Sequence, residues 1–151
     1  YLVENGSKTR YCDNDGKSEV MYSLRKKCDI RTIKCLIQYD CQVGQSDKDG
    51  KTEIMYALLY KYDVNMIDCL VQHGCQLGQR DKDGKTEIMY ALCKNYGISM
   101  IDCLVAQGCQ LDMCDKDEKT EIMYALICMY GIEMIDFLVQ HGSKLGRYDE
   151  N

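Results

Sequence analysis

The sequence of 151 residues contains no proline and no tryptophan, and it has only one phenylalanine and two histidines. No apolar run approaches about 18 residues, so the sequence predicts no helix inserted across a membrane. The net charge of −5 argues against nucleic-acid binding, which needs a basic face to neutralise phosphates. There is no glycine-rich phosphate-binding loop, no dinucleotide-binding fingerprint and no C-x-x-C pair.

Positive charge is concentrated near the start of the chain, at Arg25, Lys26, Lys27, Arg31 and Lys34. We interpret this basic cluster as a solvated face. The alternative is a docking patch for a partner, and the sequence alone leaves both interpretations open.

The chain is an internal repeat with a period of 34 residues. The tetrapeptide DGKT occupies 49–52 and 83–86, and the related DGKS and DEKT fall in the same register at 15–18 and 117–120. A repeat of this length is typical of a solenoid, in which each unit buries its apolar surface only against its neighbours. The predicted units are 13–46, 47–80, 81–114 and 115–148.

Both ends of the chain align with parts of further units. Residues 1–12 align with the end of a repeat, because Leu2, Val3 and Gly6 match Leu70, Val71 and Gly74. Residues 149–151 would begin another repeat, since Asp149 matches Asp115. We therefore expect the chain to be a fragment of a longer array.

The unit 81–114 shows what each repeat is expected to fold into. Asp and Gly at 81–84 favour a tight turn, and Thr86 has the chemistry of an N-cap. Glu87 in the first helical turn interacts favourably with the positive end of the helix dipole. Ile88, Ala91 and Leu92 predict one apolar helix face. A turn at 95–97 precedes a second helix, which Gly108 ends. The sequence thus predicts an all-α stack of helix pairs with projecting β-turn fingers.

These residues resemble the ankyrin repeat, whose unit runs D-x-x-G-x-T-P-L-H-x-A-A and closes a second helix with L-L-x-x-G-A. Here the same positions read DKDGKTEIMYAL and CLVQHGCQL. The resemblance covers almost the whole chain and implies an ankyrin-type helix-turn-helix solenoid. The 34-residue repeats here are one residue longer than the family's unit, and the extra residue lies in the turn between the helices. It also implies a protein-binding role with no catalytic activity and no cofactor. The tetratricopeptide repeat has the same period but lacks the finger and usually carries a closing proline, so it fits poorly.

The chain departs from the family pattern at three kinds of position. Glutamates replace the usual proline, methionines replace the usual histidine, and Glu118 replaces a turn glycine. If Glu118 adopts a positive φ, it should cost about 1 kcal/mol. The affected positions are Glu53, Glu87 and Glu121, with Met55, Met89 and Met123 two residues later.

The 11 cysteines are interpreted as buried, reduced thiols. One slot holds Cys35, Cys69 and Cys103 but also Phe137, and another holds Cys41, Cys75 and Cys109 but also Ser143. Neither a bridge nor a metal ligand tolerates such replacements, whereas a small packing residue does. Unpaired thiols favour a reducing, cytoplasmic location, and a cytoskeleton-associated assembly is one candidate setting. Zinc or redox chemistry and structural disulfides are the alternatives.

Other recurring residues are also interpreted structurally. His73 and His141 end second helices, where they can interact with the helix dipole. The tyrosines of the first helices are expected to pack between units, and the aspartates of the second helices to form a solvated face. These residues are Tyr22, Tyr56, Tyr90 and Tyr124, and Asp68, Asp102 and Asp136.

Positions that differ between units are the candidate partner-binding residues, because the positions that hold the stack should repeat. The first group, the helix-end positions, closes each first helix and comprises Arg25, Lys26, Leu59, Tyr60, Cys93, Lys94, Ile127 and Cys128. The second group, the finger-approach positions, comprises Ser46, Arg80, Cys114 and Tyr148. The resemblance places both on the concave surface and finger tips. Leu59, Tyr60 and Ile127 are predicted to be exposed interface anchors.

Three functions follow as hypotheses. The first is a scaffold that binds another protein or neighbouring subunits of a larger assembly. The second is an architectural spacer that binds nothing laterally. The third is a metal- or redox-sensing module that uses Cys93, Cys114 and Cys128.

Overall fold

A computed structural model describes residues 12–146, which form four helix pairs. In each pair a seven-residue first helix is followed by a nine-residue second helix. This confirms the all-α helix-turn-helix solenoid. The helices are α1 (Glu19–Arg25), α2 (Ile30–Gln38), α3 (Glu53–Leu59), α4 (Val64–Gln72), α5 (Glu87–Cys93), α6 (Ile98–Ala106), α7 (Glu121–Ile127) and α8 (Ile132–Gln140). The predicted segments at 1–12 and 149–151 lie, apart from Cys12, outside the described residues.

Each first helix begins at a hydroxyl cap, as the sequence predicts. Thr86 Oγ1 accepts a hydrogen bond from the backbone N–H of Met89 at 3.4 Å, and Ser18, Thr52 and Thr120 cap their helices in the same way. Such a cap satisfies an amide that has no partner inside the helix. It fixes where the finger ends and the helix starts.

The fingers are turns held by their first aspartate. Asp81 Oδ1 accepts from the backbone N–H groups of Asp83 and Lys85, at 2.9 and 2.8 Å. Backbone bonds join neighbouring fingers, since Lys82 N–H donates to Asp49 O at 2.7 Å and Lys116 N–H donates to Asp83 O at 2.8 Å. The fingers therefore form a ladder along one edge of the stack.

Glu118 occupies a finger position at which the backbone is left-handed. Its φ is 61°, and its counterpart Gly84 has a φ of 80°. A side chain strains this conformation, so Glu118→Gly should raise the free energy of unfolding by about 1 kcal/mol in urea denaturation. Asn95→Gly is the matched control at a φ of 58°, and it should gain less because asparagine tolerates this region. Unchanged or lower stability of Glu118→Gly would contradict the assignment.

The first helices of the two inner units, α3 and α5, are buried on nearly all sides. In α5 every side chain from Glu87 to Leu92 is buried, because α3 and α7 pack on its flanks and α6 packs behind it. The sequence predicts a single apolar face formed by Ile88, Ala91 and Leu92. That expectation is wrong because the buried surface of the helix is larger than one face: neighbouring units cover the remaining sides.

A second ladder joins the turns between the helices. Tyr96 Oη donates to the carbonyl oxygen of Tyr62 at 2.7 Å, and Tyr130 Oη donates to that of Tyr96 at 2.7 Å. Tyr62 Oη likewise donates to the carbonyl oxygen of Cys28 at 2.8 Å. The ring packs while the hydroxyl bridges two units, so these tyrosines fix the spacing of the helix ends.

Within residues 12–146, none of the helices combines the length and the apolarity that crossing a bilayer requires.

Candidate protein-binding surface

The helix-end positions lie side by side in successive units because the helices repeat in register. Arg25 and Lys26 are exposed at the end of α1, and Cys93 is exposed at the end of α5. Lys94 and Cys128 are half-buried. Ile127, at the end of α7, has 61% of its surface exposed. The row thus changes from basic in the first unit to apolar in the fourth.

Leu59 and Tyr60 are not fully exposed, and this corrects the sequence-based expectation. Both are half-buried and pack against the core. The Tyr60 ring also stacks on Tyr56, with ring centroids 6.2 Å apart. Of the three predicted anchors, only Ile127 projects freely from the surface.

A further row of exposed residues directly follows the helix-end positions. Lys27, Lys61, Asn95 and Met129 occupy equivalent positions with φ between 58° and 62°. All four are exposed, and Met129 has 90% of its surface exposed. The left-handed turn directs these side chains outward, so they extend the row of helix ends. Their recurrence in the turn between the helices, with Lys in two units, Asn in one and Met in one, was the signal in the sequence.

The finger-approach positions lie next to the fingers. Ser46 is exposed, and Cys114 is half-buried. Arg80 is exposed but also bridges two fingers, since its guanidinium donates to the carbonyl oxygens of Gly84 and Cys114. The predicted residue Tyr148 lies outside the described residues.

A buried glutamate positions each approach to a finger. Glu53, Glu87 and Glu121 have 0% of their surface exposed. Each accepts a hydrogen bond from the backbone N–H of the residue just before a finger-approach position. For Glu87 the donor is Gln79 at 3.2 Å, and for Glu121 it is Met113 at 3.0 Å. The sequence suggested only an interaction with the helix dipole, because first-turn position does not reveal that a loop folds over the side chain.

Burial disfavours charge at these sites. It raises the pKa of the Glu53, Glu87 and Glu121 carboxyl groups above the usual range, although backbone N–H donors oppose the shift. The Cys109 thiol lies 3.9 Å from Glu87 Oε2. Burial is the larger cause and the charge of this carboxyl the second, and together they raise the pKa of Cys109 to about 12. Cys75 pairs with Glu53 in the same way. Thiols of this kind stay protonated and unreactive.

The tyrosines of the first helices do more than pack between units. Tyr90 Oη donates to Asp81 Oδ2 at 2.5 Å, and Tyr124 Oη donates to Asp115 Oδ2 at 2.6 Å. Burial and the neighbouring carboxylate raise the pKa of Tyr90. Each finger is thus bonded to the helix that follows it, which fixes the finger relative to the helix ends.

The interpretation of the cysteines as buried holds for part of the set. Cys69, Cys75 and Cys109 are buried, whereas Cys12, Cys35 and Cys93 are exposed. Cys35 is exposed although Cys69, in the same slot, is buried. Among residues 12–146, no group of three or more His, Cys, Asp or Glu side chains could hold a metal ion.

The histidines interact with helix ends as expected. His73 Nδ1 lies 2.7 Å from the carbonyl oxygen of Cys69, and His141 Nδ1 lies 2.8 Å from that of Phe137. Asp102 and Asp136 are exposed. Asp68 departs from the predicted solvated face, because it is half-buried and accepts a hydrogen bond from Gln107 Nε2 of the next unit.

Comparison with protein families agrees with this geometry. A family model for ankyrin repeats, in three copies, matches residues 54–149. No curated protein sequence matches the chain.

Proposed function

The chain belongs to the ankyrin-repeat family, whose repeats are generally protein-interaction modules, and we propose that it is a scaffold that binds a partner protein. The proposed binding surface comprises the helix-end positions and the finger tips. The scaffold acts by binding alone and uses no catalytic residue or cofactor. Its many thiols favour a reducing, cytoplasmic setting, with a cytoskeleton-associated assembly as one candidate.

The observation that carries the proposal is a contrast between two sets of positions. Residues that join the units recur nearly unchanged and are buried in the two inner units, as Glu87, Tyr90 and Leu92 show. Residues at the helix ends lie at the surface of the same stack and vary between units, so that one slot holds Arg25 in the first unit and Ile127 in the fourth. A repeated framework with a varied surface suits the recognition of a protein by side chains.

Ile127→Asp should reduce capture of a partner from cell extract, because it places a charge where the most exposed predicted anchor lies. The expected loss is at least about tenfold, as for an interface anchor. The measurement is quantitative mass spectrometry of captured proteins. Ile132→Asp is the matched control, since Ile132 has 72% of its surface exposed but begins the second helix.

Tyr60→Ser is a second variant, checked by thermal unfolding because Tyr60 contacts the core. If the wild type and Ile127→Asp capture the same proteins in the same amounts, the proposed surface is wrong. An architectural spacer would give that result. Stoichiometric zinc in protein purified without chelators would instead support a metal module.

A further inference from the structure

The turn residues that extend the helix-end positions complete a continuous surface with an unusual charge. We define the helix-end strip as residues 25–27, 59–61, 93–95 and 127–129. These positions read Arg-Lys-Lys, Leu-Tyr-Lys, Cys-Lys-Asn and Ile-Cys-Met. The strip therefore holds five cations and no carboxylate, although the chain as a whole has a net charge of −5. Its charge is opposite to that of the molecule that carries it.

The cations are graded along the strip. Arg25, Lys26 and Lys27 are exposed in the first unit, and none forms an ion pair with a described carboxylate. Lys61 is exposed in the second unit, where its Nζ lies 5.0 Å from the centre of the Tyr96 ring. Lys94 is the single cation that the third unit contributes to the strip, and the fourth unit contributes none.

The apolar character runs in the opposite direction. In the fourth unit Ile127 and Met129 have 61% and 90% of their surface exposed. The half-buried Leu59 and Tyr60 lie between these residues and the basic end. The strip thus has a basic end at unit one and an apolar end at unit four.

Resting on the proposed function, we infer that the partner is a linear protein segment with carboxylates at one end and apolar side chains at the other. The carboxylates lie over Arg25, Lys26 and Lys27, and the apolar side chains lie over Ile127 and Met129. Complementary charge fixes orientation and speeds encounter, while buried apolar groups supply most of the affinity. A uniformly charged polyanion such as nucleic acid would leave the apolar end unmatched.

The length of the strip sets the length of the segment. Packed helices lie roughly 10 Å apart, so four units span roughly 30 Å. An extended chain covers this distance with about nine residues, because each residue spans about 3.3 Å. A segment of this length reaches both ends at once.

The test is a selection in which a displayed library of random peptides is screened for binding to the whole chain. The peptides have about 12 residues, which is longer than the segment that spans the strip. Selected peptides should carry Asp or Glu toward one end and apolar residues toward the other. Their affinities for purified variants are then measured by fluorescence anisotropy, with a random-sequence DNA oligonucleotide as a competing ligand. Thermal unfolding confirms that each variant is folded.

Two pairs of matched variants separate the ends. Arg25→Gln combined with Lys26→Gln should weaken binding about tenfold at low salt. The difference in affinity from the wild type should become smaller at high salt, because exposed charges are screened. Arg31→Gln with Lys34→Gln removes the same charge from α2 and should change affinity less than about twofold. Ile127→Ser with Met129→Ser should weaken binding about tenfold at any salt concentration, and Ile132→Ser with Leu145→Ser should not.

The outcomes distinguish the two proposals. Suppose that the selected peptides carry no acidic end but bind the variant with Ile127→Ser and Met129→Ser more weakly than the wild type. This result would overturn the inference and leave the proposed function standing. Tighter binding of the oligonucleotide than of every peptide would also overturn it. Absence of any selected peptide, or peptides that bind all variants equally, would overturn both.

Discussion

Leu92→Ala should lower the free energy of unfolding by about 3 kcal/mol, the largest single effect that we expect. Leu92 has 0% of its surface exposed, and its helix α5 packs between α3 and α7. Removing the side chain takes away buried apolar surface and leaves a cavity that rigid neighbours cannot fill. The measurement is urea denaturation followed by circular dichroism.

The chain contains its own control for this prediction. Leu126 occupies the same slot of the fourth unit but has 60% of its surface exposed. Leu126→Ala should therefore cost less than about 1 kcal/mol. Equal losses for the two variants would mean that neighbouring units do not share a core. A small loss for Leu92→Ala alone would have the same meaning.

In the wild type the free energy of unfolding should fall as the pH rises, and Glu87→Gln should remove part of this fall. Burial raises the pKa of Glu87 in the folded chain above the value of 4.5 expected when it is exposed. Its contribution to stability is therefore fully present below pH 4.5 and is lost as the pH rises through the folded pKa. If folding raises the pKa by 1, about 1.4 kcal/mol of the free energy of unfolding is lost once the pH exceeds the folded pKa. The amide cannot ionise, so the variant should show no such step.

The comparison is made by urea denaturation from about pH 4 to about pH 8. The triple variant of Glu53, Glu87 and Glu121 to Gln should flatten the profile further, since all three carboxyl groups are buried. Glu19→Gln is the matched control, because Glu19 occupies the same slot with an exposed side chain. Parallel pH profiles for Glu87→Gln and the wild type would show that the carboxyl remains hydrated in the folded chain.

The repeat period, the helix caps and the finger turns could be predicted from the sequence because they depend on local chemistry. Thr86 caps α5 and Asp81 holds its turn through bonds that span only a few residues. The strain at Glu118 was also predictable, since its slot holds glycine in every other unit. A pattern that repeats four times makes each of these local signals stronger.

Features that depend on stacking could not be predicted from one unit. Glu87 looks like an exposed first-turn residue until the loop at Gln79 folds over it. Tyr60 looks exposed until its side chain is packed against the core of the stack. The exposed Met129 emerged only with the left-handed turn that directs it outward. In each case the surroundings depend on how the chain folds around the residue or on backbone geometry, which the pattern of one unit does not reveal.

Hydrogen exchange of the chain, free and bound to its tightest selected peptide, tests the central claim most directly. If the helix-end strip is the binding surface, amides around Arg25–Lys27, Leu59–Lys61, Cys93–Asn95 and Ile127–Met129 should gain protection on binding. Amides of α2, α4, α6 and α8 should not change. Protection confined to these second helices would contradict the account.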